Sequence, residues 1–271
     1  MSHPSTGGWT MSCQLFTQKK RDQEKIVVLT CYDYTTAKIL KDTDVDALLV
    51  GDSLAMTMHG FKDTVMATLA MMELHTAAVS RGAGSKFIVS DLPFLSYRKS
   101  LSKSVSAAET LMRAGAQAIK LEGAAGNLIL ISHLVESGIP VMGHLGLTPQ
   151  FIHVLGGYKV QGKTIAAAEQ LKQDALALQK AGCFAVVLEC IPTLLAKEIT
   201  QALEIATIGI GAGADTDGQV LVLQDLLGLN LDFKPKFVKH FLSGNKILSE
   251  SVSQYVQSVK QKEFPAYEHC Y

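Results

Sequence analysis

The chain has 271 residues, of which 48% are hydrophobic and 18% charged, a composition typical of one globular domain with a large core. Its 25 basic and 25 acidic residues give a formal net charge of zero, so no overall basic field would attract nucleic acid or anionic lipid. The longest apolar runs fall short of the roughly 18 residues of a membrane span, and the polar N-terminus lacks a signal core, so we expect a cytoplasmic protein.

Short apolar runs alternate with helical patterns along most of the chain. The runs hold about four to six apolar residues without alternation, which is typical of strands buried on both faces. The predicted strands are EKIVVLTCYD, DALLV, KFIVSDLPF, QAIKLEG, IPVMGHLGL, CFAVVLEC, ATIGIGAG and, as an eighth, QVLVLQD. The predicted helices are TTAKILK, LAMMELHTAAVSRGAG, SVSAAETLMRAGA, GNLILISHLVESG, Thr164 to Gly182, TLLAKEITQAL and ILSESVSQYVQSVKQK.

This alternation predicts an α/β fold, a (β/α)8 TIM barrel built from parallel βαβ units, rather than an open sheet. We expect a single domain over 1–271, with an N-terminal extension and helix over 1–23, the barrel over 24–228 and a helical tail over 229–271. The stretch GADTDG leaves little room for a helix between the seventh and eighth strands.

Polar residues stand at the carboxyl ends of the predicted strands, where the active sites of such barrels lie. Four carboxylates converging there would repel one another unless a cation or protons neutralised them, and hard oxygen ligands suit Mg²⁺. Lys120 and His144 suit an anionic group of a substrate. The strand-end residues are Asp52, Ser53, Asp91, Lys120, Glu122, His144 and Glu189.

Each of these residues, taken alone, also has a structural interpretation. Asp52 is as readily the cap of the next helix, and Asp91 stands before a turn, where Asp is commonly structural. Glu122 before a glycine suits a solvated loop, and a lone His144 is more often a structural histidine. Glu189 lies between apolar neighbours, where a lone Glu is uncommon. Together they favour a site, because independent caps need not place an acid at nearly every strand end.

Other candidate residues are interpreted as structural. His59 and His75 are expected to serve the fold, and GIGAG at 209–213 lacks the full dinucleotide fingerprint and predicts a strand-end turn. The five cysteines form no CxxC pair, so we expect reduced thiols, with Cys183 and Cys190 as small core residues.

Several blocks of the sequence, in order, resemble the ketopantoate hydroxymethyltransferase family. The blocks are VGDSLAMTMHG, SDLPF, RAGAQAIKLEG, GIPVMGHLGLTPQ, GGYKVQG, VLECIP and the segment from IGIGAG through DTDGQVLVLQD. The resemblance runs from about Met11 to the C-terminus, and the first ten residues belong to none of the blocks.

The resemblance implies a barrel of the phosphoenolpyruvate/pyruvate superfamily. It also implies hydroxymethyl transfer from 5,10-methylenetetrahydrofolate to 3-methyl-2-oxobutanoate, which gives 2-dehydropantoate in the first step of pantothenate and coenzyme A synthesis. The implied cofactor is Mg²⁺, or another divalent ion, and the implied assembly is a homo-oligomer, a decamer. No nucleic acid or membrane partner is expected beside the small-molecule substrates.

The resemblance also carries residue roles. Asp52, Asp91 and Glu122 match the magnesium-site acids, and Glu189 matches the catalytic base. The residues matching those that hold the oxo acid are Asp52, Ser53, Asp91, Lys120 and His144. The folate contacts are not assigned.

Two alternatives remain open. A related Mg²⁺-dependent barrel could cleave or rearrange a 2-oxo acid or phosphonate, although such enzymes depend on a KKCGH-like loop that this sequence lacks. The chain could also be an inactive barrel that acts as a binding protein, although an inactive protein would have no reason to retain the complete set of polar residues at the strand ends.

Overall fold

The computed structural model describes residues 12–230 and 235–271, so the first eleven residues of the expected N-terminal extension lie outside the described part. The chain divides into two compact units, one ending at Val222 and one beginning at Leu223. Among the described helices, none combines the length and the apolar character needed to cross a membrane.

Eight parallel strands close into a barrel in chain order, and the eighth strand pairs with the first. This confirms the α/β (β/α)8 fold predicted from the alternating pattern. The strands are β1 (Ile26–Thr30), β2 (Ala47–Val50), β3 (Phe87–Asp91), β4 (Ala118–Lys120), β5 (Val141–Gly146), β6 (Ala185–Glu189), β7 (Ala206–Ile210) and β8 (Gly218–Leu221).

Helices connect successive strands up to β7. Residues 211–217, which connect β7 to β8, form turns and bends, as predicted from GADTDG. The helices of the first unit are α1 (Cys13–Arg21), α2 (Tyr34–Leu40), α3 (Leu54–Thr57), α4 (Leu69–Gly82), α5 (Leu101–Arg113), α6 (Leu128–Glu136), α7 (Ile152–Leu155), α8 (Ile165–Lys180) and α9 (Thr193–Ala202), with 3-10 turns at Thr64–Met66 and Pro149–Phe151.

Side-chain caps fix where three long helices, α4, α5 and α8, begin. Helix α8 begins as predicted, because the hydroxyl of Thr164 accepts the N–H of Ala167. Helix α5 begins earlier than the predicted SVSAAETLMRAGA, because Ser100, and not Ser104, is its cap and accepts the N–H of Lys103.

The second unit is helical. It contains α10 (Leu223–Leu226), α11 (Gly244–Lys260) and a 3-10 turn at Tyr267–His269. Backbone hydrogen bonds tie its first part together, with the N–H of Phe241 donating to the carbonyl of Leu226 at 2.8 Å. Helix α11 begins three residues before the helix predicted for the C-terminal tail, at 247–262, and ends two residues before it.

The barrel interior is filled by apolar side chains that alternate along each strand, such as Ala47 and Leu49 on β2. At one end of this core lies Phe16 of α1, which is 1% exposed and contacts the rings of Phe87 and Phe184 at centroid distances of 5.7 and 5.1 Å. Phe87 begins β3 and Phe184 precedes β6, so α1 covers the amino-terminal end of the barrel. Burying one such ring contributes about 1.5–3 kcal/mol.

Candidate active site

The inward-facing positions of four strands change from apolar to polar at their carboxyl ends. Side chains two residues apart on a strand point to the same face, so a polar residue two places after a core residue also points inward. Four strands show this change, each with a core residue followed two places later by a polar residue that is buried or half-buried. In chain order, the pairs are Val89 and Asp91, Ala118 and Lys120, Met142 and His144, and Val187 and Glu189. The structure therefore brings these four predicted site residues to one end of the barrel.

A buried ion pair joins two neighbouring strands. Asp91 and Lys120 are register partners on β3 and β4, and the ammonium Nζ of Lys120 lies 2.7 Å from Oδ1 of Asp91. Burial alone would lower the pKa of Lys120, but the carboxylates of Asp91, Glu122 and Asp52 outweigh it and raise that pKa. Lys120 is therefore a permanent cation in this site.

Asp52 lies just beyond β2, where its backbone N–H donates to Oδ2 of Asp91 at 3.1 Å. Burial, followed by repulsion from Asp91 and Glu122, raises the pKa of Asp52 well above its usual range, and attraction to Lys120 only partly offsets this. The interpretation of Asp52 as a helix cap is wrong, because the residue at the cap position of α3 is Ser53. The three acids thus repel one another in a buried space that favours a cation.

His144 on β5 lies between two carboxylates. Its Nδ1 is 3.4 Å from Oε1 of Glu122, and its Nε2 is 3.1 Å from Oε2 of Glu189. Neither nitrogen is aligned for a hydrogen bond, so the contacts are ion pairs at close range. Burial and Lys120 lower the pKa of His144, but the two glutamates outweigh them and raise it to about 9. His144 is therefore a cation at neutral pH.

Gln150, which the sequence analysis missed, connects the acids of the site. It is 3% exposed, its backbone N–H donates to Oε2 of Glu122 at 3.0 Å, and its Nε2 donates to Oδ2 of Asp52 at 2.8 Å. The same Nε2 donates to the carbonyl of Leu92, and Oε1 accepts the hydroxyl of Tyr97 at 2.7 Å. The sequence signal that could have identified Gln150 as a site residue is its place in the block LGLTPQ, directly after the strand that carries His144.

Ser53 is held by a second residue that the sequence analysis missed. The hydroxyl of Tyr32, a residue 1% exposed, lies 2.8 Å from Oγ of Ser53. Burial raises the pKa of Tyr32 to about 12, so the phenol is neutral. A Cβ added at Gly51 would lie 2.8 Å from the same Oγ, so a larger residue at position 51 would displace the hydroxyl of Ser53.

Glu189 ends β6 at a tightly packed turn. Its side chain is 16% exposed, more than those of Asp91, Lys120, His144 and Glu122. Gly146 has a φ of +90°, and a Cβ there would lie 2.2 Å from the carbonyl oxygen of Glu189, so only glycine fits. Cys190, predicted as a core residue, is half-buried and holds a φ of +47°, which is unfavourable for a side chain.

These side chains surround a cavity of about 160 Å³, small beside the roughly 300–1,000 Å³ of sites for drug-sized ligands. Apolar side chains of β6, β7 and β8 form its other wall, namely Val187, Ile210 and Val220. A wider groove of about 400 Å³ lies between α5 and α6, but its ionisable residues, His133 and Glu136, are exposed. The smaller cavity is therefore the candidate active site.

The residues at the cavity fit a divalent ion bound by few protein ligands. Among the described residues, no group of three or more His, Cys, Asp or Glu side chains is placed to hold a metal ion by itself. Mg²⁺ commonly uses one or two carboxylates and completes its shell with water and substrate oxygens. Burial raises the pKa of Asp52, and repulsion from Asp91 and Glu122 raises it further, so a cation among these acids would be favoured.

The histidines interpreted as structural form a pair of their own. Nε2 of His59 lies 3.0 Å from Nε2 of His75, and Nδ1 of His75 lies 2.5 Å from the carbonyl oxygen of Tyr32. These contacts agree with a role in the fold.

Comparisons with known proteins identify close relatives. The sequence profile of the ketopantoate hydroxymethyltransferase family matches residues 10–267. A protein of Francisella tularensis subsp. novicida described as 3-methyl-2-oxobutanoate hydroxymethyltransferase is 56% identical over 256 residues, which cover 94% of this chain and 97% of that protein. One of the same description from Bdellovibrio bacteriovorus is 57% identical over 256 residues, with the same coverage.

Solved structures share the fold at low identity. A 2,3-dimethylmalate lyase of the PEP mutase/isocitrate lyase superfamily matches with a TM-score of 0.60 and 15% identity, over 96% of this chain and 88% of that one. A phosphonopyruvate hydrolase in complex with oxalate and Mg²⁺ matches with a TM-score of 0.60 and 8% identity, over 95% of this chain and 92% of that one. These matches show the barrel type and not the activity.

Proposed function

The chain belongs to the ketopantoate hydroxymethyltransferase family and is a hydroxymethyltransferase, and on that premise we propose that it uses 5,10-methylenetetrahydrofolate to hydroxymethylate 3-methyl-2-oxobutanoate. The product is 2-dehydropantoate, which serves pantothenate and coenzyme A synthesis. The observation that carries this proposal is the buried set of three acids beside Lys120 and His144, with the more exposed Glu189 next to them.

We assign Asp52, Asp91 and Glu122 to a Mg²⁺ ion, or to another divalent ion in its place. When bound, this ion supplies Lewis-acid stabilisation of the negative charge that develops on the substrate's 2-oxo oxygen, an effect worth several kcal/mol. The mutual repulsion of these acids supports the assignment. The presence of oxalate, a small dicarboxylate with adjacent oxygens like those of a 2-oxo acid, with Mg²⁺ in the phosphonopyruvate hydrolase also supports it.

Lys120, His144 and Ser53 hold the oxo acid. An ammonium has three donors, and Asp91 takes one from Lys120, so two remain for substrate oxygens. The imidazolium of His144 carries an N–H on each nitrogen, and the hydroxyl of Ser53 is oriented by Tyr32. Hydrogen bonds between charged groups are about twice as strong as neutral ones, so these groups fix the substrate's orientation.

Glu189 accepts the proton from C3 of the oxo acid. This leaves an enolate, whose C3 forms a bond to the methylene carbon carried by the folate as an iminium. Water then replaces the remaining carbon–nitrogen bond, so that the hydroxymethyl product and tetrahydrofolate leave. Nε2 of His144 lies 3.1 Å from Glu189 and restrains the carboxylate that takes the proton. Holding enolate and folate together supplies part of the remaining rate enhancement.

Proton exchange tests this proposal. The protein is mixed with 3-methyl-2-oxobutanoate in D₂O, and the C3–H signal is followed by NMR with and without Mg²⁺ and with and without tetrahydrofolate. We expect loss of the signal that depends on the metal, and slow loss with Glu189→Gln. Absence of exchange under every condition would contradict enolisation, and with it the proposed mechanism.

The alternatives have less support. The lyases and mutases of the superfamily share only the fold with this chain, at 8–15% identity, whereas the hydroxymethyltransferases are 55–57% identical. A purified protein that takes up no Mg²⁺ on dialysis would favour an inactive, binding barrel. A cytoplasmic location and a homo-decamer stay proposals from the family resemblance, and analytical ultracentrifugation tests the decamer.

A further inference from the structure

One buried hydroxyl that lines the candidate active site has no partner. Thr64 begins the 3-10 turn Thr64–Met66 and is 2% exposed, and its Oγ1 makes no hydrogen bond to any residue that the structure describes. Thr64 lines the same cavity as Asp52, Ser53 and Lys120. Buried polar groups in native proteins are almost always hydrogen-bonded, so this hydroxyl calls for an explanation.

The turn itself does not need the hydroxyl. Asp63 caps it, because its carboxylate accepts the N–H of Val65 at 3.1 Å. The hydroxyl of Ser53, in the same cavity, already contacts Tyr32. Thr64 thus combines burial, a place on the cavity wall and an unused donor.

We infer that the hydroxyl of Thr64 binds the oxo acid, donating a hydrogen bond to one of its carboxylate or carbonyl oxygens. This assignment rests on the proposed function, which supplies the ligand. A threonine side chain has few χ1 states, so its hydroxyl can be held ready for a ligand at little entropic cost. Both oxygen types of an oxo acid are acceptors, and a threonine hydroxyl supplies one donor.

The replacement that tests this inference is Thr64→Val, which exchanges the hydroxyl for a methyl group of similar size. If the hydroxyl awaits a ligand, its removal costs the ligand-free protein nothing. We expect a urea midpoint equal to or above that of the wild type, and an apparent KM for the oxo acid raised about tenfold in the D₂O exchange reaction without folate. Thr64→Ser, which restores the hydroxyl, should return KM to within about threefold of the wild type.

Thr200 provides a matched control. It is also a buried threonine, but its Oγ1 donates to the carbonyl of Ala196 at 2.8 Å and lies 2.8 Å from Oγ1 of Thr207. It lies on α9, outside the cavity lining. Thr200→Val should lower the urea midpoint and leave the KM for the oxo acid unchanged.

The outcomes separate the two proposals. Wild-type protein without exchange would overturn the proposed function and the identity of the ligand together. Wild-type exchange with an unchanged KM in Thr64→Val would overturn only the role of Thr64, and so would a lowered urea midpoint like that of Thr200→Val. A raised KM for methylenetetrahydrofolate alone, in the complete reaction, would also overturn it and assign Thr64 to the folate.

Discussion

Replacing Gln150 with leucine tests how far one neutral side chain holds the acids of the site in place. The change removes two bonds donated by Nε2, one to Asp52 and one to the carbonyl of Leu92, and the bond that Oε1 accepts from Tyr97. A hydrogen bond to a charged group is worth about 1.5–3 kcal/mol and a neutral one about 0.5–1.5 kcal/mol. The three bonds together are worth about 2.5–6 kcal/mol. Tyr97 keeps a long contact with the carbonyl of Glu122, and the raised pKa of Asp52 weakens its bond as a charged one, so we expect a loss in the lower half of this range, about 3–4 kcal/mol.

The assay is urea unfolding without added metal, read as the free energy of unfolding of Gln150→Leu against the wild type. Gln150→Glu serves as the comparison, since it keeps the shape but places a carboxyl group beside Asp52. The pKa of that buried carboxyl group would be raised in the folded state, so the folded protein would bind more protons and lose stability as the pH rises. Gln150→Leu removes a bond that lowers the pKa of Asp52, so its loss should also grow as the pH rises, but less steeply than that of Gln150→Glu, which adds a buried carboxyl group. A loss below about 1 kcal/mol in Gln150→Leu would refute the reasoning that these bonds hold the acids.

The remaining predictions concern the charged groups. Glu189→Gln should retain oxo-acid binding but lose turnover by at least about 100-fold in a steady-state assay, and near-normal turnover would remove Glu189 from the base role. Asp52→Ala and Asp91→Ala should each weaken Mg²⁺ binding in calorimetry, whereas unchanged affinity would place the metal elsewhere. Lys120→Met leaves Asp91 buried without its partner and should lower the free energy of unfolding by about 3–5 kcal/mol in urea, and a loss under about 1 kcal/mol would contradict a buried ion pair.

The barrel could be predicted from the sequence because its local signals agree with one another. Apolar runs and helical patterns alternate, caps such as Thr164 stand where helices begin, and parallel strands require helical crossovers. Because strands buried on both faces have no alternation, the sequence does not show which residues point inward. The positions of Asp91, Lys120 and Glu189 were predictable from chemistry at the strand ends, but their shared orientation emerged only from the register.

What the sequence analysis missed depends on contacts between distant segments. Gln150 bonds to Asp52, 98 residues away, and this contact exists only because the barrel brings the loops after β2 and β5 together. Tyr32 contacts Ser53 in the same way. Phe16 gives no sequence signal of its role at the end of the core, because its ring partners belong to β3 and to the residue preceding β6.

The acidic side chains of the site outnumber its cations, and this imbalance favours a divalent metal ion as the proposed cofactor. Among the described residues that line the cavity, four acids, Asp52, Asp91, Glu122 and Glu189, face two cations, Lys120 and His144, so full ionisation leaves two negative charges in a largely buried space. Without an added cation, a proton kept on one of the acids would relieve this repulsion, and burial together with repulsion from Asp91 and Glu122 raises the pKa of Asp52 in that direction. A bound oxo acid would add a further negative charge, and transfer of the C3 proton to Glu189 would move one negative charge onto the substrate without changing the total. A monovalent cation would leave one of the protein's two excess charges uncompensated, whereas a divalent ion cancels both and leaves Lys120 and His144 to compensate the charge of the substrate.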